Sequence, residues 1–205
     1  MWLEKDLKII ENTPVLETER LILRRFSPED AEALFLILSD EEVNTFLPWF
    51  PAKTVEDAYL WMKERYLDRY ADPWAYQYAV CLKESGELIG YLGVSPEESL
   101  DLGYGLRKDC WRMGYAAEAA KAVIERMRAA GFPYVTATHD RNNPASGGVM
   151  RKIGMTYRYS YQEQWQPKNI PVVFRMYQLD FVDPPCPTFD LYTKMYPSFV
   201  EDILL

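Results

Sequence analysis

Between residues 115 and 130 the apolar side chains of Ala116, Ala120, Val123, Ile124 and Met127 recur at helical spacing, and Glu118, Lys121, Glu125 and Arg128 fill the opposite stripe. That period predicts an amphipathic helix laid on a core, and Gly131 is the residue that ends such helices. Two helices are expected earlier. Ser27, Pro28 and Asp30 offer an N-cap, a first-turn proline and an acid ahead of Ala31, Leu34, Phe35 and Leu38, while Thr54 with Asp57 caps a helix running to about Tyr70. A fourth, short helix has Asn143, Pro144 and Ser146 at its N-cap, N1 and N3 and stops at Gly154.

The remaining apolar runs alternate or are β-rich, which predicts strands at 20–26, 76–82, 88–94, 99–106, 134–139, 155–162 and 172–179. The second and third flank K-E-S-G-E at 83–87 and read as an antiparallel hairpin. A hairpin at that point argues against a nucleotide-binding Rossmann unit, which needs alternating parallel βα units and a fuller glycine fingerprint. Tyr157, Tyr159 and Tyr161 alternate and are expected to share one strand face, as an aromatic acceptor wall or, the preferred reading, as an ordinary packed face.

The turn before the long helix carries candidate chemistry. In W-R-M-G-Y-A-A-E-A-A at 111–120, Gly114 has no side chain and Ala116 and Ala117 have small ones. The free N–H groups of the first helical turn and the positive end of the helix dipole therefore stand open to an anion, and a diphosphate is the natural occupant.

Composition narrows the partners. With 31 acidic against 23 basic residues the chain carries a net charge of -8, which disfavours a surface built for nucleic-acid phosphates and suits a cationic or amine-bearing substrate. Cys81, Cys110 and Cys186 are widely spaced and form no ligand pairs or disulfide framework, His139 is the one histidine, and no metal site is expected. The start M-W-L-E-K-D-L-K is too charged for a signal peptide, and no apolar run approaches the ~18 residues of a membrane span. A soluble, cytoplasmic protein is the expectation.

Four motifs in order carry a family resemblance: T-E-R-L-I-L-R at 18–24, G-Y-G-L at 103–106, W-R-M-G-Y-A-A-E-A at 111–119, and N-P-A-S-G-G-V-M-R-K-I-G at 143–154. Together they resemble the GNAT acyltransferases, and more narrowly the RimJ/RimL-type N-acetyltransferase branch, over roughly residues 16–181. The resemblance implies an α/β (α+β) fold with a mixed central sheet of about six or seven strands, flanked by helices and splayed at its central strands. It implies a single domain at 1–181, followed by a Pro- and aromatic-rich extension at 182–205 that packs on the domain or on a partner subunit.

The same resemblance implies acetyl-CoA as cosubstrate. Its pyrophosphate would rest on the backbone of Arg112, Met113, Gly114, Tyr115, Ala116 and Ala117, with charge from Arg112. The backbone of Leu106 and Arg107 would hold the pantetheine and polarise the thioester carbonyl, and Asn143 and Ser146 would complete the cofactor side. Asp101 is the expected base, with Glu97 and Glu98 close by and His139 a further titratable candidate. Ser146 would stabilise the departing thiolate, since Met150 stands where many members carry a tyrosine. Trp49, Phe50, Trp61 and Tyr66 are candidate acceptor contacts. Cys110 lacks an activating neighbour in sequence and is not read as a nucleophile. The implied activity is direct acetyl transfer to a primary amine of a small molecule or a protein or peptide N-terminus, by a monomer or homodimer. The alternative is a non-catalytic acyl-CoA-binding domain, toward which Met150 and Arg151 point.

Overall fold

The computed structural model describes residues 11–202, so the charged start from Met1 to Lys8 lies outside the described residues. The chain opens with β1 (Leu16–Glu17) and β2 (Leu21–Arg24), then α1 (Ala31–Leu38) and α2 (Val55–Met62). Strands β3 (Tyr76–Leu82), β4 (Leu88–Val94) and β5 (Leu102–Leu106) follow and complete an antiparallel sheet in chain order with β1 and β2. Next come α3 (Tyr115–Ala130), β6 (Tyr134–Asp140), α4 (Pro144–Lys152), β7 (Thr156–Trp165), β8 (Ile170–Asp180), α5 (Leu191–Met195) and β9 (Ser198–Phe199). The second sheet is also antiparallel, in the order β6-β8-β7-β9. Leaving aside the two-residue β1 and β9, seven strands remain, in line with a central sheet of about six or seven.

One core packs α3 against the first sheet through Leu21, Leu23, Leu102, Ala120, Val123 and Met127 and continues along the second sheet; another lies under α1 and α2 and takes in Ala79, Cys81, Leu88 and Tyr91. The capping motifs form as the sequence dictates. The Thr54 hydroxyl accepts from Asp57 N–H while the Asp57 carboxylate accepts from Thr54 N–H, at 3.1 and 2.9 Å. After Met62 the second helix changes winding, first to a π-helical turn at Lys63–Leu67 and then to a 3-10 turn at Asp68–Ala71, so the expected run to Tyr70 is continuous but irregular.

Two expectations need correction. The strand anticipated at 99–106 begins at Leu102, because Leu100 sits at φ +49° and its N–H closes a turn onto the Glu97 carbonyl. The three alternating tyrosines do not share a face. A bulge between Tyr157 and Tyr159 shifts the register, so Tyr157 pairs with Tyr177, whereas Tyr159 and Tyr161 pair with Met176 and Phe174 on the other side of the sheet. Tyr161 then stacks on Tyr192 at 4.8 Å and on Tyr196 at 5.5 Å, and β9 adds to β7. The Glu201 carboxylate pairs with Arg175, and this guanidinium holds it down at about 2.

Candidate active site

Among the described residues a single β-bridge joins the two sheets. Asp101, just before β5, makes a parallel bridge to Thr136 of β6, and beyond it the strands diverge. This leaves one edge of β5 without a partner strand among the described residues. Hydrogen bonds on antiparallel strands alternate in direction. Arg107 N–H donates to the Ile89 carbonyl at 2.8 Å and Asp101 accepts from Ser95 N–H at 2.9 Å, so residues 101, 103, 105 and 107 bond to β4. The backbone groups that face the split are therefore those of Leu102, Tyr104 and Leu106. Of the two residues read from sequence as pantetheine contacts, Leu106 faces the gap, but Arg107 has already spent its N–H on β4. The Leu106 carbonyl is likewise taken, by the Trp111 indole at 2.9 Å, leaving its N–H as the open group.

Both Arg112 and Gly114 in the turn that enters α3 are left-handed, at φ +63° and +86°. A non-glycine residue held there is strained, and such strain collects where a loop is shaped for a ligand. The loop is braced from a distance. Glu118 on α3 accepts from the Thr18 hydroxyl at 2.6 Å, from Arg20 N–H at 2.9 Å and from Arg20 Nε at 2.7 Å, while Arg20 also donates to the Met113 carbonyl at 3.0 Å and lies 4.4 Å over the Tyr115 ring. Two of the sequence motifs are thus two halves of one contact. A side chain at Gly114 would start 3.5 Å from both Arg20 Nη2 and Lys152 Nζ. Amides, helix dipole, Lys152 and the neighbouring Arg112 make a cradle that fits a diphosphate and that a Cβ would begin to fill.

On the same face of β5, Tyr104 reaches the first turn of α4. Its hydroxyl donates to the Ser146 carbonyl at 3.1 Å and lies 2.9 Å from Ser146 Oγ. Burial pushes the phenol up to about 12, so it stays protonated. Asn143 caps this helix by accepting from Ser146 N–H at 3.3 Å. His139 is buried against the same helix. Its Nδ1 lies 2.8 Å from the Asp140 carbonyl, which fixes Nδ1 as the donor and leaves Nε2 as a lone pair without a partner among the described residues. Gly147 makes room for it, since a Cβ there would come within 2.7 Å of Nε2. Burial depresses this imidazole below its ordinary range and keeps it neutral.

Asp101 faces the other way. Thr136, whose hydroxyl lies 3.4 Å from the Asp101 carboxylate, and Thr138 alternate with His139 along β6, so the acid and the histidine belong to opposite faces of the sheet. Burial pushes Asp101 up to about 6, against the opposing hydrogen bonds from the Thr136 hydroxyl and Thr138 N–H. Asp101, Gly103, Tyr104, His139, Asn143 and Ser146 all line one cavity of about 460 Å³ that runs through the split. Its far wall is aromatic, with Trp49, Trp61, Tyr66, Tyr91, Trp165 and Phe174, and Arg65 lies 4.7 Å over Trp49 and 5.5 Å over Trp61. Phe50 turns outward and is 62% exposed, so it does not join the acceptor wall expected of it. Glu97 and Glu98 are exposed on the β4–β5 loop and do not line the cavity. Cys110 is buried away from it, with its thiol pushed up by burial.

Several residues that shape the site escaped the sequence reading: Arg20, Lys152, Tyr104 and Asn44. Asn44, fully buried, donates to the Leu38 and Asp40 carbonyls at 2.9 and 2.7 Å and accepts from the Trp49 indole at 3.0 Å. Its own carbonyl accepts from Lys168 at 2.7 Å, so the β7–β8 turn is tied to the loop between α1 and α2 that carries Trp49. The G-Y-G-L motif was the available signal for Tyr104, and Arg20 and Lys152 lie within the first and last of the four motifs; nothing local marks Asn44.

Comparison with known proteins agrees with this geometry. A family described as the acetyltransferase (GNAT) domain matches residues 20–156. An uncharacterized N-acetyltransferase of Bacillus subtilis, YoaA, is 29% identical over 159 residues, covering 73% of this chain and 89% of its own. The crystal structure of a GNAT-family acetyltransferase from Bacillus anthracis superposes with a TM-score of 0.72 at 22% identity, over 82% of this chain and 99% of that one. RimL, a ribosomal L7/L12 α-N-protein acetyltransferase solved with coenzyme A, has the same fold with a TM-score of 0.72 at 18% identity, over 82% and 98%. With the split strands, the glycine turn at α3 and a family match over most of the chain, the protein belongs to the GNAT acetyltransferases and is an acyltransferase.

Proposed function

We propose that this enzyme transfers an acetyl group from acetyl-CoA directly to a primary amine, on a small molecule or at the N-terminus of a protein or peptide, as a RimJ/RimL-like enzyme of the cytoplasm. It acts as a monomer or homodimer through a catalytic domain at 1–181, with 182–205 as an extension that packs on the domain or on a partner subunit. The observation that carries the reading is the unpaired edge of β5, which lies between the cationic cradle at α3 and the cavity that holds Asp101. The shared fold with RimL, an α-N-protein acetyltransferase solved in complex with coenzyme A, supports the acceptor class and the branch.

Acetyl-CoA, when bound, supplies the activated thioester carbonyl. The amides from Arg112 to Ala117, with Lys152 and Arg112, hold the diphosphate. Tyr104 and Leu106 present backbone groups to the pantetheine arm, and the Leu106 N–H stabilises the developing oxyanion. Asp101 takes the proton that the attacking amine must lose, for which a carboxyl raised to about 6 is well matched near neutral pH. Ser146 donates a hydrogen bond to the departing sulfur. His139, on the opposite face from Asp101, lines the cofactor side as a neutral, buried wall.

Release of free thiol from acetyl-CoA, followed over a panel of amines, tests the reading. Amine-dependent release with matching N-acetyl product is expected; acetyl-CoA binding with no release for any primary amine would overturn it.

A further inference from the structure

Resting on that reading, we infer that Tyr104 is a positioning residue that aims the Ser146 hydroxyl at the thiolate of the leaving coenzyme A. The two hydroxyls stand 2.9 Å apart, both border the cavity, and Tyr104 has a second acceptor in the Ser146 carbonyl at 3.1 Å. Each hydroxyl owns one proton, which leaves two arrangements. When Tyr104 donates to the carbonyl, Ser146 satisfies itself by donating to the phenol oxygen, and its proton is turned away from the cavity. When Tyr104 donates to Ser146 Oγ, the serine proton is released toward the cavity. An anionic sulfur beside Ser146 favours the second state, since a hydrogen bond to a charged acceptor is stronger than one between neutral groups.

The side chain of Tyr104 is placed to do this. It projects from the β5 edge that opens into the split, so its distance to α4 is set by the same divergence of strands that makes the cavity. The Ser146 carbonyl lies inside the first turn of α4, which Asn143 caps, so the serine backbone is fixed independently of the phenol. The burial that raises the phenol also prevents it from giving up its proton. The balance is then closed without it. The new N–C bond forms as the C–S bond breaks, the electron pair stays on sulfur, and the amine proton leaves on Asp101. Tyr104 and Ser146 contribute hydrogen bonds and keep their protons.

The test reads the thiolate directly. The ionisation of coenzyme A bound to the protein is followed by thiolate ultraviolet absorbance against pH, in the native protein and in Tyr104→Phe, Ser146→Ala and the double variant. Binding of the protonated thiol at acid pH is followed in parallel by thermal shift. Tyr104→Phe is expected to weaken the bound thiolate about tenfold, the upper end of one lost hydrogen bond between neutral groups, with binding of the neutral thiol unchanged. The double variant should be no worse than Ser146→Ala alone, because the phenol acts only through the serine. Ser146→Thr, which keeps the hydroxyl, should retain the dependence on Tyr104. Native ionisation in Tyr104→Phe, or additive losses in the double variant, would overturn the inference while leaving the proposed function standing. Failure of the native protein to bind coenzyme A would overturn both.

Discussion

The two faces of the β5–β6 split are built by different means. On the α3 and α4 face the framework is local, a glycine turn and the helix it opens, an asparagine cap and the serine three residues later, and only its braces, Arg20, Lys152 and Tyr104, come from a distance. On the α1 and α2 face the cavity wall is assembled from distant segments, with Trp49 and Trp61 from the helical arm, Trp165 from the β7–β8 hairpin and Lys168 tied to Asn44 across 124 residues. A binding site made by short-range geometry can be read residue by residue. One made by packing depends on register and loop path, which the sequence states only indirectly.

The sharpest break between the faces is expected at Asp101, which belongs to the acceptor side. Asp101→Asn should lower turnover by about 10²- to 10⁴-fold, the usual worth of a general base, with acetyl-CoA binding retained. In the native enzyme, turnover should rise with pH through about 6, as the carboxyl ionises, and reach a plateau above it. The same elevation has a thermodynamic consequence. The folded state favours the protonated acid, so its contribution to stability is complete below the ordinary carboxylate range and is lost as pH rises through about 6. Melting curves should therefore show Asp101→Asn gaining on the native protein as pH climbs across that window. A native pH profile in the variant would remove Asp101 from the base role.

Ser146→Ala, on the opposite face, should cost about one to two orders of magnitude in kcat, the low end of such effects, because the α4 dipole still favours a thiolate. The two glycines of β5 point to one face of the sheet, and what stands over each differs. A Cβ at Gly105 would run into the Tyr91 ring, whereas one at Gly103 meets nothing within 4 Å and opens into the cavity. Gly105→Ala should lose about 1–3 kcal/mol to overpacking in denaturant melts. Gly103→Ala should melt like the native protein and raise KM for the amine. Comparable melting of the two variants would contradict the assigned register.

The brace behind the α3 turn ties the start of β2 to α3. Glu118→Gln keeps the shape but removes the charge that gathers Thr18 and Arg20, and about 1.5–3 kcal/mol is typical of a hydrogen bond to a charged group. Part of this loss should appear as weaker acetyl-CoA binding, because Arg20 also holds the Met113 carbonyl. Unaltered affinity with lowered stability would confine the brace to folding.

Much of this molecule was legible because its signals are short. Gly114 and Gly131 bound α3, Asn143 and Ser146 set α4, Thr54 and Asp57 start α2, and the hairpin from β3 to β4 follows from alternation around a glycine turn. What was not legible depends on phase. Whether Leu106 or Arg107 faces the split is decided by which backbone groups β4 has already taken, and the fate of the tyrosine row by one bulged residue at Arg158. Charge pairing was hidden for a similar reason: Arg20 and Glu118 lie 98 residues apart and become a contact only when β2 is laid beside α3.

If the turn entering α3 cradles the diphosphate of acetyl-CoA, thermal unfolding with and without that ligand will register it. At about 100 times its dissociation constant, acetyl-CoA should add about 2.7 kcal/mol of stability. Gly114→Glu should abolish the gain by placing a side chain and a negative charge where Lys152 and the helix amides converge. A native protein unmoved by millimolar acetyl-CoA, or a Gly114→Glu variant stabilised as fully as the native one, would contradict the account.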